Sequence, residues 1–212
     1  MDLFQRPAKV DSTRLYLIRH GEVVGASTRR FIGHLDVPLS AAGEAQLQAL
    51  ARDLASEPLK AIYSSDLSRA RRSAEILATP HGLTPETIPA LREMSMGRWE
   101  GLTGEEIQAS EPEAFNDWMS RIGEFPFPEG ESLLDLERRV WPALLDLLDR
   151  HRGQSIAVVA HGGVNRVILC RALGAPFEKI LAFGQDYAAL SVLEWSGREW
   201  VLHLLNYQAG PQ

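Results

Sequence analysis

The segment Ser155-Ile-Ala-Val-Val-Ala160 carries no charge and runs directly into His161-Gly162-Gly163 and the helical pattern Val164 to Leu173. An unbroken apolar run of that length reads as a strand buried on both faces, the environment of a parallel sheet covered by helices. Arg14-Leu-Tyr-Leu-Ile18 has the same texture and stops in the same way, on Arg19-His20-Gly21. Two such strands in one parallel sheet would bring both histidines to the same carboxyl edge, where open α/β sheets bind their ligands.

The elements between these strands fit that frame. Ser40 is placed to cap a helix with Leu47, Leu50 and Leu54 on one face. Lys60-Ala-Ile-Tyr63 reads as a strand, and Asp66 to Ala78 as a helix stopped by His81-Gly82. From about Glu93 to Pro128 the texture changes, with scattered Gly, Pro, Met and Trp and no sustained period, and the stretch reads as an inserted cap. Ser132 with Asp135 then opens a helix whose Leu136, Val140, Leu144 and Leu147 share a face, with Pro142 expected to bend it. Ala189 to Trp195 and Glu199 to Leu205, about Ser196-Gly197, read as a hairpin. The expectation is one α/β domain over 1–212: three layers, α/β/α, with a mostly parallel sheet, an antiparallel edge and a cap over 93–128.

Bulk properties narrow the functional classes. The chain of 212 residues has a formal charge of −6 and no Lys/Arg-rich run, which speaks against a nucleic-acid surface. No apolar stretch is long enough to span a bilayer, and Met1 to Val10 does not have the make-up of an export leader, so a cytoplasmic protein is expected. Cys170 is the lone cysteine and reads as a small buried hydrophobe. His81, His151 and His203 read as structural, and no metal-ligand spacing stands out. The hairpin tryptophans, Trp195 and Trp200, offer an edge on which two copies could pair as a homodimer.

One histidine after a strand is usually satisfied by backbone; two of them, with Arg19 beside the first, make a candidate site. Arg69, Arg71 and Arg72 open the helix that follows the second strand, at the same sheet edge. Guanidinium forks from two loops can hold a phosphoryl group without a metal, whereas a solvated helix face accounts for Arg71 and Arg72 equally well. Glu22, Glu93, Glu100, Glu105 and Glu106 all compete, on composition alone, as a proton donor.

Five blocks in order resemble the histidine phosphatase superfamily, the phosphoglycerate-mutase-like fold: Leu17-Ile-Arg-His-Gly-Glu22, Ser64-Ser-Asp-Leu-Ser-Arg-Ala70, Leu91-Arg-Glu-Met-Ser-Met-Gly-Arg-Trp-Glu-Gly101, Glu129-Gly-Glu-Ser132 and Val158-Val-Ala-His-Gly-Gly163. The resemblance implies His20 as nucleophile, Arg19, Arg69 and His161 as phosphate ligands, and Glu93 as proton donor. Gly162 and Arg30 join these as candidate substrate contacts, the partner is a small phosphate ester, and no cofactor is called for. The His-Tyr-Gly stretch that mutases carry after the donor glutamate is replaced here by Met94-Ser-Met-Gly-Arg-Trp-Glu-Gly101, which favours the phosphatase branch. Arg30-Phe-Ile-Gly-His-Leu-Asp-Val-Pro-Leu-Ser40 and Gly97-Arg-Trp-Glu-Gly101 look most like α-ribazole phosphatases, while broad-specificity and sugar-phosphate phosphatases share most of these residues. Two positions depart from the family pattern: Ala26 and Ile32 stand where many relatives place polar groups near the phosphate, with Arg29, Arg30 and His34 as substitutes in the same loop.

Overall fold

The computed structural model describes residues 11–210; the expected domain limits reach past these at both ends, and the decapeptide read for a leader lies outside the described residues. Among the described residues six strands form one sheet in the order β3-β2-β4-β1-β5-β6. They are β1 (Thr13–Arg19), β2 (Leu59–Ser64), β3 (Glu86–Thr87), β4 (Ser155–Ala160), β5 (Leu190–Trp195) and β6 (Trp200–Tyr207). The first four run parallel, and β5 and β6 add the antiparallel edge. The two-residue β3 escaped the sequence reading because it is too short to carry a period.

Alternation along the central strands divides the core. Tyr16, Ile18, Ala157 and Val159 face α1 (Ala41–Leu54) and α2 (Ser68–Ala78), whose Leu47, Leu50 and Leu77 close that side. Leu15, Leu17, Ile156 and Val158 face α5 (Leu133–Arg150) and α6 (Gly162–Leu173), which bring Leu136, Val140, Leu144 and Val167. Burial on both faces is what a parallel strand requires, and it explains why β1 and β4 are the most apolar runs of the chain. Cys170 is buried within the second of these clusters.

Several boundaries move. The second helix begins at Ser68, two residues later than expected, because Asp66 is instead committed to Arg92, with two hydrogen bonds of 2.7 and 2.5 Å. The α6 helix begins at Gly162, two residues earlier, with His161 as its N-cap. Ser132 and Asp135 form a reciprocal capping box at the start of α5, and Pro142 does not end the helix, since buried side chains on both sides of it hold the two halves to the core.

The stretch after Glu93 folds as α3 (Gly104–Ser110) and α4 (Pro112–Ser120) with irregular connections. Trp99 is fully buried at its centre, stacked on Phe125 at 5.4 Å and edge-on to Phe31, Trp118 and Phe127. Most of the aromatic content of this segment therefore packs it onto the rest of the domain.

Candidate active site

Register places the site. Arg19 is paired with Ala160 across β1 and β4, so His20 and His161 are the next residues out on neighbouring strands. The His20 amide donates to the Ala160 carbonyl at 3.0 Å, and the two imidazole rings meet edge to face, with centroids 5.1 Å apart. On the other flank of β4, Ser65 follows the end of β2, and its hydroxyl lies 2.7 Å from His161 Nε2.

His20 Nδ1 lies 2.8 Å from the Gly21 carbonyl, an acceptor only, so Nδ1 carries the proton and Nε2 keeps the lone pair. Burial, with the charges of Arg19 and Arg69 added, holds the pKa of His20 well below the ordinary imidazole range; the Gly21 carbonyl is the opposing influence. His161 is lowered in the same way, by burial first and then by His20 and the arginines. Both rings are therefore neutral near pH 7.

Arg69, buried on α2, donates to the carbonyls of Gly33 and Leu35, each at 2.7 Å, and so fastens the loop after β1 over the site. Arg19 lies 4.0 Å from the Tyr187 ring centroid and also donates to the Gln185 carbonyl. Two of the buried polar atoms without a protein partner among the described residues lie here, Arg19 Nε and His161 Nδ1. Arg19 also lines the cleft, where its unpaired guanidinium N–H can meet an anionic oxygen.

Glu93 reaches the site from the segment that follows β3. One of its carboxylate oxygens accepts the Gly163 amide at 3.0 Å, in the first turn of α6, and the other accepts the Met94 amide at 2.9 Å. A carboxylate suits that position because the free amides of a helix start attract negative charge. The competing glutamates are committed elsewhere. Glu22 accepts from Ser40, Glu100 from the amides of His34 and Met96, and Glu106 from Arg30 and Thr103, while Glu105 lies exposed on the first turn of α3.

A cleft of about 270 Å³ is lined by Arg19, His20, Arg69 and Glu93, with Arg29, Arg30 and Ile32 at the loop side. Arg30 reaches this cleft, but its guanidinium is bound to Gly101 O and Glu106, so it enters as part of the wall. His34 faces away from a ligand role, its Nε2 lying 2.7 Å from the Glu93 carbonyl. Arg71 and Arg72 are exposed and pair with Glu75 and Glu44. A second chamber, also about 270 Å³, opens beyond Arg19, Phe31, Glu93 and Met96, with Trp118, Ile122 and Leu181 as apolar walls and Arg166 as its cation. Gly162 lines this chamber rather than the first.

Tyr187, Gln185, Arg166 and Ser65 were not anticipated. Tyr187 and Gln185 precede β5, which is antiparallel to β1, so its entry end necessarily lies beside the exit end of β1. That topological step was available from the hairpin reading. Arg166 lies five residues after His161 on the same helix. No group of three or more metal-binding side chains occurs among the described residues.

The chain belongs to the histidine phosphatase superfamily (branch 1), whose family signature matches residues 15–208, and it is a phosphatase. It is similar to phosphoserine phosphatase 1 of Hydrogenobacter thermophilus, 34% identical over 193 residues that cover 91% of this chain and 92% of that one. Phosphoglycerate mutase-like protein 4 of Arabidopsis thaliana is 40% identical over 200 residues, 92% of this chain and 85% of its own. Among solved structures, the α-ribazole phosphatase from Shigella flexneri superposes with a TM-score of 0.85 at 29% identity, covering 94% of this chain and 99% of that one.

Proposed function

We propose that the protein hydrolyses a small phosphomonoester by way of a phosphohistidine on His20, and that the substrate is α-ribazole 5′-phosphate. The carrying observation is the contact of His20 Nδ1 with the Gly21 carbonyl: a carbonyl can only accept, so Nδ1–H of a neutral, buried His20 donates to it and Nε2 is left as a nucleophile beside Arg19, Arg69 and His161.

In the first step Nε2 forms a bond to phosphorus as the ester P–O bond breaks, and Glu93, as the acid, gives its proton to the departing alkoxide. Arg19, Arg69 and His161 stabilise the charge on the transferring oxygens. In the second step water attacks phosphorus while the Glu93 carboxylate takes its proton, the N–P bond breaks, and His20 and phosphate are released. Glu93 thus ends in its starting state.

The substrate assignment is supported by the apolar chamber that adjoins the phosphate cleft at Glu93, where a flat base can lie against Trp118 and Phe31, and by the similarity to the Shigella protein. Arg166 in that chamber is the feature that would favour an acidic leaving group such as serine instead. Phosphate release from α-ribazole 5′-phosphate, phosphoserine, 3-phosphoglycerate and an aryl phosphate tests the choice. Fastest turnover of the first is expected; equal slow rates, or a preference for phosphoserine, would remove that substrate and leave the His20 chemistry standing. Bisphosphoglycerate-dependent isomerisation of 3-phosphoglycerate would contradict hydrolysis itself.

A further inference from the structure

We infer that Arg139 and Glu131 position Glu93 for proton transfer, an inference that rests on the reading of Glu93 as the proton donor. An arginine has five N–H donors, and in Arg139 every one is used. Nη1 donates to Ala90 O at 2.8 Å and to Arg92 O at 2.7 Å, and Nη2 donates to Glu93 O at 2.7 Å. The remaining donors of Nη2 and Nε meet the two carboxylate oxygens of Glu131, both at 2.7 Å. One guanidinium therefore gathers three of the four carbonyls from residue 90 to residue 93.

Glu131 completes the hold from the other side. Its Oε2 also accepts the Ser95 amide at 2.8 Å, and its own amide donates to Ser95 O at 2.8 Å. The pair thus grips the backbone on both sides of Glu93, at 90–93 and at 95. His34 Nε2 adds a contact to the Glu93 carbonyl at 2.7 Å. Arg139 stands on α5, which is capped at Ser132 and fixed to the core by Leu136 and Val140, so the hold is referred to a rigid element. Neither Arg139 nor Glu131 lines the phosphate cleft. They act through Glu93, whose carboxylate must reach both the leaving oxygen and the attacking water. Catalytic proton transfer has a narrow geometric tolerance, and misplacement by an ångström is enough to lose about a hundredfold in rate.

Lysine keeps the charge of Arg139 but not its planar fork, so Arg139→Lys removes the grip with the least other change. The readout is the dependence on the leaving group. An aryl phosphate with a nitrophenolate leaving group needs no acid in its first step, whereas glycerol 2-phosphate does. In the intact protein, Arg139→Lys is expected to lower kcat/KM for glycerol 2-phosphate roughly ten- to hundredfold and to leave kcat/KM for the aryl ester within about threefold. Phosphoenzyme should accumulate from the aryl ester, with a burst of nitrophenolate, because the second step also needs Glu93. Glu131→Gln, which keeps the side-chain shape, carries the same expectation if Arg139→Lys folds poorly. An equal fall on both esters, or no fall, overturns the inference. Glu93→Gln is run alongside: if it too lacks the leaving-group dependence, the proton-donor reading fails; if it shows it and the Arg139 and Glu131 variants do not, only the positioning role falls.

Discussion

The carboxylate of Glu93 accepts the backbone amide of Gly163 at 3.0 Å, which ties the segment after β3 to the first turn of α6, immediately beyond His161. A β-carbon on Gly163 would stand 2.5 Å from Glu93 Oε1. That carboxylate ends a flexible side chain and can move, but only by giving up its hydrogen bonds to the Gly163 and Met94 amides, so Gly163→Ala in the first turn of α6 should lower stability by about 1 kcal/mol. Turnover of an alkyl phosphate should fall by about tenfold or more as the carboxylate moves. Steady-state kinetics with a thermal melt checks this; undiminished turnover would show that the position of Glu93 does not matter.

Two buried imidazoles held neutral make stability pH-dependent in a definite direction. The folded pKa values of His20 and His161 are lowered, so below about pH 6.5 the unfolded chain binds protons that the folded chain does not. Stability is therefore lost as pH falls below about 6.5, each histidine adding up to about 1.4 kcal/mol per pH unit to the slope. His161→Asn should flatten the dependence in that window relative to the native chain, whatever it does to the stability itself. Denaturant unfolding at several pH values measures it; parallel slopes for the two proteins would contradict the neutral, buried state of this ring.

The nucleophile loop is pressed against α1. A β-carbon on Gly43 would lie 2.1 Å from the carbonyl oxygen and 2.7 Å from the amide nitrogen of Glu22, two residues after His20. Both are backbone atoms and cannot swing aside, so Gly43→Ala should destabilise by about 1–3 kcal/mol, the usual range for overpacking, and should lower activity with it. Chemical denaturation checks the size of the effect.

Trp118 forms part of the chamber wall beside Phe31. If an aromatic leaving group rests there, Trp118→Ala should raise KM for α-ribazole 5′-phosphate by about three- to tenfold, the worth of one aromatic contact, and leave KM for glycerol 2-phosphate unchanged. An equal change for both esters would make Trp118 a packing residue only.

Much of the site was legible because it follows from register. Two buried strands, each ending in a histidine, and a parallel sheet suffice to put His20 beside His161, and the helix after β2 brings Arg69 to the same edge. Glu93 was legible only through its place in a family motif, since its position depends on contacts with Gly163 and Arg139 from segments 70 and 46 residues away. Arg139 had no signal of its own: on α5 it is one more charge in an amphipathic helix, next to Arg138, and its five acceptors are backbone atoms and a carboxylate assembled by the fold. The departures at Ala26 and Ile32 were visible at once. Ile32 lines the cleft while Ala26 sits in a 3-10 turn outside it, and neither Arg30 nor His34, each bound to other groups, supplies the missing polarity. Arg29, exposed in the same loop, is the one of the three candidates that lines the cleft without being bound to another group among the described residues.

The most direct test of the central claim is to mix the native protein with a phosphomonoester, quench it in alkali within one turnover, and locate the phosphoryl group by peptide mass spectrometry. An acid-labile, alkali-stable phosphoryl group on His20, absent from His20→Ala together with the activity, is the predicted result. Phosphate release that proceeds with no phosphoenzyme at His20, or a His20→Ala variant that retains full turnover, would contradict it.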